Sequence, residues 1–316
     1  MPLTLDQYAD YLDTRDLPWP AAATPQSAKA KAHLVALPEV RMVTWNIYGT
    51  LLAIAGGDLV FVHPQKFIMD LALDKTVQEF KMWGSMSRKP GQPSEYMGQI
   101  YANVVAEQRM APSPGEKYPE LQADKVWDAI LKKLFQKDYK FDAGFFGSLN
   151  EYCKKIAYFF HASLQGTACQ DGAAQALEHV HSCGLVQGLI ADAQCFTLVQ
   201  LERGLKQQHC GTMFRALSSA DSWALSFEQK GRKPSERLFR HLLTAAAQKG
   251  IQPRQILHVG SRIAQDIAPA KKLGMRTALY AGDKESLQAT GDQLKDAATR
   301  PDVLLTDLTQ VREIVS

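Results

Sequence analysis

The sequence predicts an α/β protein: a Rossmann-like, doubly wound parallel sheet with an α-helical segment inserted near its start. Three observations carry this. Apolar, β-rich runs at 43–45, 186–190, 256–259, 276–280 and 303–305 are separated by helix-length amphipathic stretches, the rhythm of strand–helix–strand units. The first run ends abruptly at Asn46, and others end at Ala191-Asp192 and Gly260-Ser261; open α/β sheets keep their ligands at such strand ends. Residues 63–150 break this rhythm with helical periodicity of their own. The implied organisation is an N-terminal extension over 1–40, a core formed by 41–62 with 151–316, and a helical insert over 63–150. A chain of 316 residues is long enough for about two such folding units.

In chain order, Leu3 to Leu12 predicts one short amphipathic helix, and Pro18, Pro20, Pro25 and Pro38 forbid a long one. The extension is expected to wrap the core surface, with a solvated arm as the alternative. After the first strand, Leu51–Ile54 and Leu59–Val62 flank Ala55-Gly56-Gly57-Asp58, which predicts a β-hairpin. Within the insert, 66–82 and 121–136 read as helices, the second with Val126, Trp127, Ile130, Leu131 and Leu134 at helical spacing. Arg88–Pro93 and Pro112–Gly115 read as loops. Trp83 and Trp127 are expected to pack the insert's core, with a pocket wall as the alternative. Asp171 is the expected cap of a helix carrying Leu177 and Val180 and ended by Gly184. Residues 196–205 predict the next helix. Pro234 is expected to open a helix carrying Leu238, Leu242 and Ala245, and 308–315 to form the last one.

Four strand-end motifs bear on chemistry. Val43-Thr44-Trp45-Asn46-Ile47-Tyr48-Gly49-Thr50 delivers a small polar side chain to a strand end. Ala191-Asp192 closes the second. Gly231-Arg232-Lys233-Pro234 is a turn presenting a cation ahead of a helix. Gly260-Ser261-Arg262-Ile263-Ala264-Gln265-Asp266 completes the set. This ordered series, covering about 275 residues from Val40, resembles the haloacid dehalogenase (HAD) superfamily, hydrolases with a Rossmann-like core and often a helical cap.

The resemblance implies a role for each position. Asn46 stands where that family has its aspartate nucleophile, whose carboxylate attacks the substrate and, in phosphatases, holds Mg²⁺. Tyr48 stands where phosphatases carry an acid/base Asp, and a tyrosine there is the pattern of the metal-independent dehalogenases. Ala191 lacks the hydroxyl of the second motif. Lys233 retains the lysine of the third. Ser261 replaces a carboxylate of the fourth, while Asp266 remains. The family's scaffold is thus expected with its catalysis impaired. Mg²⁺ binding through Asp266 is expected to be weak, because a hard dication relies on anionic oxygens. A small anion would instead meet Lys233, Arg262, Asn46 and backbone N–H groups around Ile47 and Ala191.

Bulk composition narrows the classes. A net charge of +3 argues for neither nucleic acid nor membrane as a partner. No apolar run approaches the roughly 18 residues of a membrane span, and no secretory signal is visible. Five cysteines (Cys153, Cys169, Cys183, Cys195, Cys210) without a CxxC pair predict free thiols and a cytoplasmic location. The leading expectation is a pseudoenzyme that binds a small anionic metabolite or a protein partner. The alternative is an active phosphatase or 2-haloacid dehalogenase-like hydrolase, including one trapped by an Asp-to-Asn change, with Asp192 or Tyr48 as the stand-in group.

Overall fold

A computed structural model describes residues 1–86, 93–111, 113–208 and 213–316, apart from the Met86 side chain. Most of the expected Arg88–Pro93 loop, together with Pro112 and Cys210, lies outside the described residues. Among the described residues eight strands are formed: β1 (Met42–Trp45), β2 (Leu52–Ile54), β3 (Thr167–Cys169), β4 (Val186–Ala191), β5 (Trp223–Leu225), β6 (Ile256–Gly260), β7 (Arg276–Tyr280) and β8 (Val303–Leu305). Six of them make one parallel sheet in the order β5-β4-β1-β6-β7-β8.

Alternate side chains divide between the two faces, as the period of a strand requires. Val43, Leu189, Leu257 and Val303 face a cluster with Leu177, Val180, Leu308 and Val311. Met42, Ile190 and Ile256 face the opposite cluster with Leu238, Phe239 and Leu242. The helices Ala173–Ser182 and Glu236–Gln248 therefore cover opposite faces, and the sheet is doubly wound. β1 lies central, with Trp45 opposite both Leu189 and Val259, so the residue after it emerges between the ends of β4 and β6.

The insert builds its own apolar cluster from the helices Lys66–Glu79, Pro93–Met110 and Ala123–Phe135. The helix Leu149–Leu164 joins them: Tyr152, Ile156 and Phe160 share that cluster with Leu73, Tyr101 and Ile130. Trp127 is fully buried between Tyr101 and Phe160, whereas Trp83 is exposed and packs no core. The N-terminal helix Leu5–Asp13, closed by a capping box of Thr4 and Gln7, buries Tyr8 and Leu12 in the same cluster. The extension then pairs Ala22 with Gly166 and His33 with Leu304, running along the outer edge of β8. It wraps the surface and covers an edge strand, which guards against edge-to-edge association.

Several local expectations are corrected. No hairpin follows β1: β2 pairs antiparallel with β3, far along the chain, and Leu59–Val62 is not a strand. The Gln165 side chain supplies the reason. It accepts from Val60 N–H at 2.8 Å and donates to the carbonyls of Ala55 (3.2 Å) and Asp58 (3.1 Å), satisfying backbone groups that a hairpin would have paired. Gly172, not Asp171, caps the following helix, and Ser235 caps the one expected to open at Pro234. The last segment, Leu308–Glu313, is 3₁₀ rather than α. β3 and β5, each three residues long, went unread. No helix among the described residues is long and apolar enough to cross a membrane, and Cys153, Cys183 and Cys195 are free thiols.

Candidate functional site

The side chain leaving β1 is buried and held at both ends. Asn46 Nδ2 donates to the Tyr48 carbonyl at 2.9 Å and, more weakly, to Thr50 Oγ1 at 3.4 Å. Asn46 Oδ1 accepts from Lys233 Nζ at 2.8 Å. One neighbour can only accept and the other can only donate, so the amide's orientation is fixed by chemistry.

Lys233 reaches the site because Asp192, at the end of β4, accepts from its backbone N–H at 2.8 Å. Its ammonium also pairs with Asp266, and both side chains are almost fully buried. Asp266 is brought back against β6 by the π-helical turn Ile263–Ile267. Its second oxygen accepts from Arg262 N–H at 3.0 Å. Gly260 is required here, since a β-carbon on it would stand 2.3 Å from Asp266 Cγ. Burial alone would raise the Asp266 carboxyl, but Lys233 and His258 outweigh it and hold it well below the usual carboxylate range. His258 Nε2 lies 3.7 Å from Asp266, with Nδ1 3.0 Å from Thr44 Oγ1. Burial lowers its imidazole, so the ring is neutral at pH 7.

Asn46, Lys233 and Asp266 thus converge at the carboxyl edge of the sheet, with Asp192 beside them. Other predicted residues turn elsewhere. Arg262 donates to Asp58 Oδ2 at 3.1 Å and to the Gly57 carbonyl, so its guanidinium serves the loop after β2. The Tyr48 hydroxyl bonds Thr197 Oγ1 at 2.9 Å and Gln200 Oε1 at 2.5 Å, and burial raises its pKa far above the ordinary phenol value. Ile47 is a buried apolar residue whose carbonyl accepts from Thr50, Leu51 and Leu52. Ala191 is buried in the sheet's apolar cluster. Ser261 is fully buried, and its hydroxyl has no hydrogen-bond partner among the described residues.

A second polar group beside the lysine was not legible in advance. Asp58, Glu120, Asp192 and Arg232, with Tyr48, surround a cavity of about 20 Å³, room for one water molecule. Arg232 lies 3.4 Å from Asp58 and 3.9 Å from Asp192. Glu120 comes from the insert, bonds the Ser226 hydroxyl, and is pushed up to about 7, chiefly by burial. Asp192 is likewise raised by burial, with Lys233 and Arg232 opposing. Arg232 sits directly before the lysine and could have been read from that; Glu120 and Ser226 come from distant segments and carried no local signal.

The donor set does not fit Mg²⁺. Positions 46, 261 and 266 offer an amide, a hydroxyl and one carboxylate that already carries an ammonium. Among the described residues no group of three or more His, Cys, Asp or Glu is placed to hold a metal.

Residues 231–311, which contain Lys233, Ser261 and Asp266, match the family model described as HAD-hydrolase-like. The fold is similar to that of a 2-haloacid dehalogenase from Pseudomonas syringae pv. Tomato DC3000, at 19% identity over 87% of this chain and 97% of that one, with a TM-score of 0.53. It also aligns with a HAD phosphatase from Thermococcus onnurineus, at 14% identity over 87% and 97%, with a TM-score of 0.46. No curated protein matches the chain. The six-stranded parallel sheet is thus a fold shared with that dehalogenase, and the segment 231–311 is what matches the HAD-hydrolase-like family model.

Proposed function

We propose that this chain keeps the HAD-like scaffold without its nucleophilic step, and that the strand-end site holds a small anion or metabolite. The observation that carries the reading is the fit of an amide at position 46. Its N–H faces the Tyr48 carbonyl at 2.9 Å and its oxygen faces Lys233 at 2.8 Å. An aspartate in that pose would set an oxygen against a carbonyl. This fit supports reading Asn46 as a settled amide rather than a trap set into an active site, and an amide is a poor nucleophile. The free thiols accord with a cytoplasmic protein.

Lys233 spends two of its three donors on Asn46 and Asp266, leaving one for a ligand. An anion enters only if the insert moves, because the cavity beside the site admits no more than water. Binding is accordingly modest and salt-sensitive. A panel of phosphomonoesters and 2-haloacids, with and without Mg²⁺, should show no turnover. Calorimetric titration with inorganic phosphate should give weak saturable binding, lost in Lys233→Ala and weakened in metal-free buffer by Asn46→Asp. Robust turnover would establish the rival hydrolase, whose candidate group is Asp192 at the cavity wall; Asp192→Asn would then abolish it. A protein partner that survives Lys233→Ala would instead assign binding to another surface.

A further inference from the structure

Away from the strand ends, the extension and the insert enclose a groove of about 830 Å³ that shares no lining residue with the cavity beside Lys233. That size is ample for a small organic ligand. Its walls are aromatic. Trp19 meets Phe159 edge-on at 5.3 Å, Tyr11 meets Phe145 edge-on at 5.4 Å, and Phe141 stacks on Tyr152 at 4.3 Å. Tyr11 and Trp19 remain 38% and 36% exposed, so ring surface is still open to an occupant.

The charges of the groove do not cancel. Arg15, Lys75, Lys81 and Lys140 line it against Asp74, Glu79 and Asp142; Glu79 is taken by Arg15, while Asp142 and Asp74 keep their charge on neutral donors, Phe145 N–H at 3.1 Å and the Gln78 amide at 2.7 Å. Lys75 is half-buried in the wall. Its ammonium donates to the Pro18 carbonyl, and none of its described contacts is a carboxylate. Burial lowers its pKa, the effect that a nearby anion would reverse. Lys81 and Lys140 add two exposed cations at the mouth. Flat ring walls favour a planar apolar body through offset and edge contacts, while an unbalanced cation favours an anionic head.

From this juxtaposition of aromatic walls and an unbalanced lysine, we infer that the groove binds an aromatic carboxylate, its rings against Trp19, Phe141 and Phe145 and its carboxylate at Lys75. Calorimetric titration of the full chain with 2-naphthoate, against neutral 2-naphthalenemethanol, tests this. The acid should bind saturably at one site and at least tenfold more tightly than the alcohol in low salt. Lys75→Met should bring the acid down to the alcohol's affinity while leaving alcohol binding intact, which also shows that the variant is folded. Phe141→Ala should weaken both ligands. Absence of saturable binding, equal affinity for acid and alcohol, or indifference to Lys75→Met would overturn the inference.

Discussion

At the scale of single residues, the charge of Lys233 is best understood through what its removal would strand. Asp266 is fully buried, and among the described residues the cost of its charge is offset chiefly by Lys233, with one backbone N–H beside it. Lys233→Met should therefore lose about 3–5 kcal/mol at pH 7, the usual cost of orphaning a buried ion. The sign with pH is definite. In the parent the Asp266 carboxyl is depressed, so its stabilisation is present above the ordinary carboxylate range and is lost as pH falls through the depressed folded value. In Lys233→Met, burial raises that carboxyl instead, and protonation relieves it. Urea unfolding should show the gap between parent and variant narrowing as pH falls toward about 4. Adding Asp266→Asn should recover most of the loss at pH 7. A gap independent of pH would mean that packing, not charge, is what the lysine supplies. Glu120 runs the other way. Its carboxyl is raised to about 7, so the folded state binds the proton more tightly and stability falls as pH rises from the ordinary glutamate value through 7. Glu120→Gln should flatten that part of the stability profile and leave the variant the more stable protein at pH 8.

At the scale of elements, the loop after β2 is held by distant side chains rather than by its own sequence. Gln165 makes three hydrogen bonds to backbone groups of Ala55, Asp58 and Val60, and Arg262 reaches Gly57 and Asp58. Gly57 adopts φ +69° with Ser286 Cα only 2.6 Å from where a β-carbon would stand, so the close approach and the turn both require glycine. Gln165→Ala should cost about 1–3 kcal/mol through unsatisfied backbone groups, with faster amide exchange at Val60; unchanged exchange there would show that the loop holds itself. This dependence also explains what the sequence made legible. The central strands were readable because β1, β4, β6 and β7 are apolar runs bounded by polar residues, a local signal. Asn46 followed, because a strand end places its next residue at the sheet edge, whereas Lys233 and Asp266 were readable only through the resemblance to the HAD motifs. The hairpin reading failed since β2 finds its partner only at Thr167–Cys169. The side-chain directions of Arg262 and Tyr48 were likewise hidden, for each is set by a partner (Asp58, Thr197) brought near only by folding.

At the scale of the molecule, the N-terminal extension bridges the insert and the sheet. The helix Leu5–Asp13 buries Tyr8 and Leu12 in the insert's cluster. Its acidic face meets the other module, with Asp13 on Arg203 and Asp6 on Arg215 at 2.7 Å. The insert also grips the sheet directly: Pro119 pairs with Gly231, Arg232 N–H donates to the Tyr118 carbonyl at 2.8 Å, and Gln194 bonds Leu121 and Ala123 at 2.8 Å each. These contacts surround the lysine loop and keep the cavity beside it small. The two kinds of contact differ in weight. Exposed ion pairs contribute about 0–1 kcal/mol each and fade with salt, whereas a fully buried large side chain contributes about 1.5–3 kcal/mol. Charge reversal at Asp6 and Asp13 should thus have a small, salt-dependent effect, while Tyr8→Ala with Leu12→Ala should release the extension. If the extension is what holds the insert down, amide exchange over 116–123 should quicken strongly in the second variant and barely in the first. Phosphate should then bind faster to the released protein, because the lysine is uncovered more often. Fast exchange at residues 5–13 without any change over 116–123 would show that the extension rides on a closure the insert maintains by itself.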